Sequence, residues 1–124
     1  MRVFDSSALL AYLQDEAGAN HVEAALDAGG VCGAANWSEV AQKVSRRGAP
    51  WAGARALLLS FPLVVESVTA SDAEGAAALW PELPHLSLAD RLCLALARRL
   101  DSPVLTADRA WEAGDHGIVV ELVR

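Results

Sequence analysis

Four acidic residues stand where an extended segment or a capped turn passes into a helical one. They are Asp5 in VFDSSALL, Glu39 in NWSEV, Asp90 in SLADRLCLALA and Asp108 in VLTADRAW. Each borders an apolar stretch that must be buried. If the four joints meet in the fold, four carboxylates converge. Like charges in a partly dry pocket need a compensating cation. The chemistry implied is that of a divalent metal site, and an all-carboxylate donor set suits Mg²⁺ or Mn²⁺.

Each acid taken alone also has an ordinary reading as part of a helix cap. Asp5 and Asp108 suit N-caps, while Asn36-x-x-Glu39 and Ser87-x-x-Asp90 read as capping boxes. On a helical wheel Glu39 lies opposite the Trp37–Val40–Val44 stripe, and Asp90 lies on a narrow polar flank near Arg91 and Arg98. Periodicity keeps these side chains out of the core without bringing them together. Capping has a chemical consequence of its own. A carboxylate at a helix N-terminus is held ionised by the helix dipole, metal ligands must be ionised, and the same helix ends favour a phosphate.

The elements that would position these acids alternate in type. Strands are predicted at Met1–Phe4, Val31–Gly33, Leu63–Glu66, Pro103–Thr106 and Ile118–Leu122. Between them, helices are predicted after Asp5-Ser6-Ser7, over Ala17–Ala28, from Asn36 to the Gly48/Pro50 stop, over Trp51–Leu59, over Thr69–Trp80 with Ser71 and Glu74 as caps, and over Ser87–Leu100. Ala107–Ala113 reads as a helical turn. Alternation of this kind implies a three-layer α/β/α sandwich with a central, mainly parallel sheet. Ligands of such sheets sit beyond the carboxyl ends of the strands, the edge that Asp5 and Asp108 occupy by following strands.

The bulk properties fit one domain spanning residues 1–124, with 53% hydrophobic residues. No apolar run is long enough to span a bilayer, and MRVFDSSALLAYL lacks the form of a signal peptide, so a cytoplasmic protein without a membrane partner is expected. Cys32 and Cys93 lie in apolar surroundings and read as buried thiols. His21, His85 and His116 have no zinc-type spacing. The formal net charge of −6 counts against a nucleic-acid partner. Setting the four joint acids aside as metal-bound leaves −6 + 4 = −2, a nearly balanced surface.

The four motifs in this order and spacing, over the whole chain, resemble the PIN domain, and more narrowly the toxin ribonucleases of VapBC-type toxin–antitoxin pairs. The resemblance implies an endoribonuclease in which Asp5, Glu39, Asp90 and Asp108 bind Mg²⁺ or Mn²⁺ and cleave RNA. Asp5 and Asp108 would be the most direct ligands, with Asp90 and Glu39 acting directly or through water. Hydroxyls expected to support them are Ser6, beside the first acid, and Thr106, before the last. Glu112 or Asp115 would supply a further acidic group. Hydrolysis by in-line attack of water would leave a 5′-phosphate and a 3′-hydroxyl. The resemblance also implies a homodimer and a cognate VapB-type antitoxin that blocks the cleft. Candidate contacts to RNA phosphates are Lys43, Arg46 and Arg47 on the exposed side of the Glu39 helix, and Arg91 and Arg109 directly after two of the acids.

Three other readings compete. An aspartyl-phosphate hydrolase with Asp5 as nucleophile would want an acid two positions on, where Ser7 stands. A phospho-receiver domain would need a late lysine, whereas Lys43 is the only lysine. A PIN-like binding or assembly module with little activity would tolerate loss of an acid, yet all four are present.

Overall fold

The computed structural model describes residues 1–124. In chain order the elements are β1 (Arg2–Phe4), α1 (Ser6–Leu13), α2 (Ala19–Ala28), β2 (Gly30–Gly33), α3 (Ala34–Arg46), α4 (Trp51–Leu59), β3 (Leu63–Glu66), α5 (Ala70–Leu79), α6 (Leu88–Arg99), β4 (Val104–Thr106), a 3₁₀ turn (Arg109–Glu112) and β5 (Val120–Leu122). The five strands form one sheet in the order β3-β2-β1-β4-β5. Every pairing in it is parallel. The expected alternation and three-layer architecture are therefore present.

Side chains along the strands alternate between two cores, as the period of a pleated strand requires. Phe4, Cys32 and Leu105 point to one face and pack with Leu9, Leu26, Val40 and Leu58 from α1–α4. Val3, Val31 and Val104 point to the other and pack with Leu79, Leu94 and Leu96 from α5 and α6, and with Trp111. Gly30 is needed where β2 passes β1, because a Cβ there would come 2.3 Å from the Arg2 carbonyl oxygen. Cys32 and Cys93 are both free and buried. No helix is long and apolar enough to cross a membrane.

Strand order reverses between β1 and β4. From β1 the chain moves outward through β2 and β3, then returns to add β4 and β5 on the opposite side. A crevice opens at such a switch point, beyond the carboxyl ends of the two strands that flank it. Asp5 directly follows β1, and Asp108 lies two residues beyond the end of β4.

Local differences from the sequence reading concern caps. The helix bearing Glu39 starts at Ala34, with Gly33 as its N-cap and no side-chain cap bond. Asn36 thus lies inside the helix, because β2 runs straight into α3. The cap of α5 is Thr69, paired with Asp72 in a capping box, in place of Ser71 and Glu74. Ser87 and Asp90 do form the predicted box.

Candidate active site at the sheet switch point

Asp5 is the most enclosed of the four acids, at 2% exposure. It caps α1, with Oδ1 accepting the Ala8 amide at 2.8 Å. Ser7 Oγ donates to the same carboxylate, 2.8 Å from Oδ1 and 2.9 Å from Oδ2. Thr106 Oγ1 donates to Oδ2 at 2.5 Å. Register explains the last contact. Phe4 pairs with Leu105 across β1 and β4, so the next residues along, Asp5 and Thr106, stand side by side. Burial pushes the Asp5 carboxyl up to about 6 despite the donors from Thr106, Ala8 and Ser7, and the charge of Asp90 adds to the rise.

Glu39 sits on the second turn of α3 and is half-buried. Ser6 Oγ donates to its Oε1 at 3.0 Å, and Asn36 Nδ2 donates to the same oxygen at 3.1 Å. The two donors turn the carboxylate away from solvent and toward α1. Asp90 is half-buried in the first turn of α6, where its Oδ2 accepts the Ser87 amide at 3.3 Å. Its pKa is raised, first by burial and then by the charges of Glu39 and Asp108, against the pull of the Ser87 bonds. Asp108 is exposed and caps the 3₁₀ turn, Oδ1 accepting the Ala110 amide at 2.9 Å. Its own amide donates to Thr106 Oγ1 at 3.0 Å.

The four acids therefore share one electrostatic neighbourhood. Asp90 acts on Asp5, and Glu39 and Asp108 act on Asp90. The floor feels them too, since the buried Cys32 thiol is pushed up by burial and then by Asp5 and Glu39. None of the four takes part in an ion pair with a cationic side chain. As placed, no three of the His, Cys, Asp and Glu side chains form a ready metal-ligand set. The donor chemistry nevertheless fits a hard divalent cation, because every candidate donor is a carboxylate or hydroxyl oxygen and the charge is uncompensated. Water would complete such a shell, as Mg²⁺ retains much of its hydration.

The supporting residues are partly redistributed. Ser6 serves Glu39, and Ser7 serves Asp5. Thr106 holds Asp5 as well as the amide of Asp108. Ser7 had no supporting role in the sequence reading, and Asn36 was read there only as a helix cap. The signals available were the i+2 spacing of Ser7 from Asp5 and the one-turn spacing of Asn36 from Glu39. Lys43, Arg46 and Arg47 are exposed at the C-terminal end of α3. Arg91 turns away, donating Nη1 to the Ala76 carbonyl of α5 at 2.9 Å, with Nε buried and unpartnered. Arg109 lies 3.7 Å from Glu112 and donates to the Arg124 carbonyl at 3.3 Å. Asp115 is exposed in the loop that follows.

Comparison with known proteins agrees with this geometry. A structure described as a toxin–antitoxin complex from Klebsiella pneumoniae superposes with a TM-score of 0.76 at 22% identity, covering 96% of this chain and 96% of that one. VapBC2 from Rickettsia felis, bound to a promoter DNA fragment, gives 0.75 at 14% identity over 98% and 97% of the two chains. Mycobacterium tuberculosis VapC20, described as a sarcin–ricin-loop-cleaving toxin, gives 0.74 at 20% identity over 90% and 93%. At these identities the likeness is one of fold. No curated protein matches the chain significantly in sequence. The PIN domain family model matches residues 2–116, and with its acids gathered around the switch point of a parallel sheet, this chain belongs to the PIN domain family.

Proposed function

We propose that the protein is a Mg²⁺- or Mn²⁺-dependent endoribonuclease, the toxin of a type II toxin–antitoxin pair. One observation carries the reading. Asp5 and Asp108 follow the two strands that flank the switch point, Asp90 on α6 interacts with the charges of Asp5, Glu39 and Asp108, and no cationic side chain pairs with any of the four. Family membership and the toxin structures that share the fold support the same assignment.

The roles follow from the contacts. Asp5, Glu39, Asp90 and Asp108 would hold the divalent ion, which would polarise the scissile phosphate and the attacking water when bound. Thr106 and Ser7 fix the Asp5 carboxylate. Ser6 and Asn36 meet Glu39 at Oε1, which leaves Oε2 for another partner. The amide-rich starts of α1 and α6 flank the site and suit an incoming phosphate. The toxin–antitoxin structures support a proteinaceous antitoxin as partner. Homodimer formation belongs to the same proposal.

Cleavage of total RNA by purified, antitoxin-free protein tests it. Discrete fragments should form with Mg²⁺ or Mn²⁺ and vanish with EDTA. Asp5→Asn should lower the rate by on the order of 10²-fold or more, as expected for loss of one charge-stabilising group at the reacting phosphate. A folded, metal-binding protein that leaves every RNA intact would favour the binding-module reading.

A further inference from the structure

Beside the acids lies a groove of about 500 Å³ lined by Ser7, Leu10, Gln14, Glu16, Lys43, Arg46, Arg47 and Arg124. Its floor follows one face of α1, because Ser7, Leu10 and Gln14 recur at helical spacing. Its walls are the basic end of α3 and the segment after β5. Counting side chains, the four cations against one acid give +4 − 1 = +3. Four of the ten Lys and Arg residues of a chain with net charge −6 are thus gathered in one place. All four are exposed. At its inner end the groove meets the acid cluster, since Ser7 also donates to Asp5.

Arg124 is fixed there by the backbone. Its Nη1 donates to the Ala17 carbonyl at 3.1 Å, and its own carbonyl accepts from Arg109 at 3.3 Å. Gly18, at φ +92°, lets Val123 lie against the turn after α1, where a Cβ would come 2.4 Å from the Val123 carbonyl oxygen. Cations near the acids outside the groove are otherwise engaged: Arg91 with α5, and Arg109 with Glu112 and the Arg124 carbonyl.

We propose that this groove is a phosphate track that seats single-stranded RNA on one side of the scissile bond, with Arg124 as a binding residue alongside Lys43, Arg46 and Arg47. The proposal rests on the nuclease reading for its choice of ligand. A run of phosphates matches its charge and its continuity with the acids. One-sidedness follows from Arg91, whose guanidinium is held against α5 by the Ala76 carbonyl. The track reconciles an acidic protein with an anionic substrate, because the cations lie where the strand must pass and the acids lie where an ion would offset them.

Binding of a short, labelled single-stranded RNA in EDTA, followed by anisotropy over a range of salt concentrations, tests the track without cleavage. Arg47→Gln and Arg124→Gln should each weaken binding by about threefold to tenfold at low salt and reduce the slope of log K against log salt by about 0.7. Arg55→Gln, an exposed charge on α4 outside the groove, should leave both unchanged. Equal losses for Arg55→Gln would overturn the track, as would unchanged slopes in the groove variants. It would also fall if the groove variants bind RNA normally but lose an oligoglutamate peptide, which would assign the groove to an acidic protein segment. Groove-dependent binding without metal-dependent cleavage would keep the track and remove the nuclease. Asp5-dependent cleavage that ignores the groove variants would do the reverse.

Discussion

Two buried aspartates near the starts of helices behave in opposite ways. Asp5 is 2% exposed and Asp72 is 4% exposed. Asp72 receives Arg99 in a two-pronged contact at 2.8 and 3.1 Å, together with the amide of Thr69, and its pKa is lowered, chiefly by the Arg99 bond. Asp5 receives two hydroxyls and an amide, faces other acids, and its pKa is raised to about 6. Burial and capping are common to both, so neither marks a functional site. What separates them is a cationic partner, which Asp72 has in Arg99 and Asp5 lacks. Asp72 ties α5 to α6 and is complete within the chain, whereas Asp5 has a charge that nothing in the chain neutralises.

The largest effect expected from this contrast is in the dependence of stability on pH without metal. The folded pKa of Asp5, about 6, lies above the unfolded value of about 3.9, so its contribution is fully present below about pH 4 and lost as pH rises through about 6. The gap corresponds to at most about 3 kcal/mol. Asp72 has the opposite sign, with its stabilisation present above the unfolded value and lost as pH falls through its lowered folded value. Urea midpoints measured in EDTA across this range should therefore fall from pH 4 to pH 7 in the wild type, and Asp5→Asn should flatten that fall. A wild-type profile that is already flat there would refute the assigned state of Asp5.

Next in size is Asp72→Ala. It strands Arg99, whose remaining partner is Glu66 at 3.9 Å, and removes half of a capping box. A loss of about 2 kcal/mol is expected, discounted because Arg99 is a third exposed. The melting shift produced by Mg²⁺ or Mn²⁺ should persist in this variant. If Asp72→Ala abolishes the metal response in a folded protein, the division between structural and functional aspartates fails. The smallest effect is that of Asp90→Asn. Millimolar Mg²⁺ or Mn²⁺ should raise the melting temperature of the wild type, and Asp90→Asn should shrink that shift while raising the metal-free melting temperature by a few degrees. Equal metal shifts in the two proteins would place Asp90 outside the ion's surroundings.

What the sequence made legible was whatever a strand end or a helix start controls. Asp5, Asp90 and Asp108 could be placed because one residue's position along an element fixes which end of the sheet it reaches. Direction around a helix was harder to read. Successive residues on a helix differ by about 100°, so Ser6 and Ser7 reach different acids, and Arg91 points at α5 although it follows Asp90. Glu39 looked solvent-facing because a wheel shows only its own helix. The donors that turn it inward include Ser6, which is 33 residues away. Asn36 was misread as a cap because Gly33 ends a strand and opens a helix with no intervening turn. Arg124 had no local signal at all, since its place depends on Gly18 and Ala17 at the far end of the chain.

The bond between Thr106 and Asp5 spans 101 residues. During synthesis Asp5 leaves the ribosome early, but the strand that shelves its carboxylate comes late, and Asp108 later still. Until β4 slots in beside β1, the emerging polypeptide has neither the hydroxyl that orients Asp5 nor the last acid. On the proposed assignment of the acids, a nascent chain would lack an assembled site while it is still close to ribosomal and messenger RNA. Under that assignment, competence would arrive with the pairing of β4 to β1.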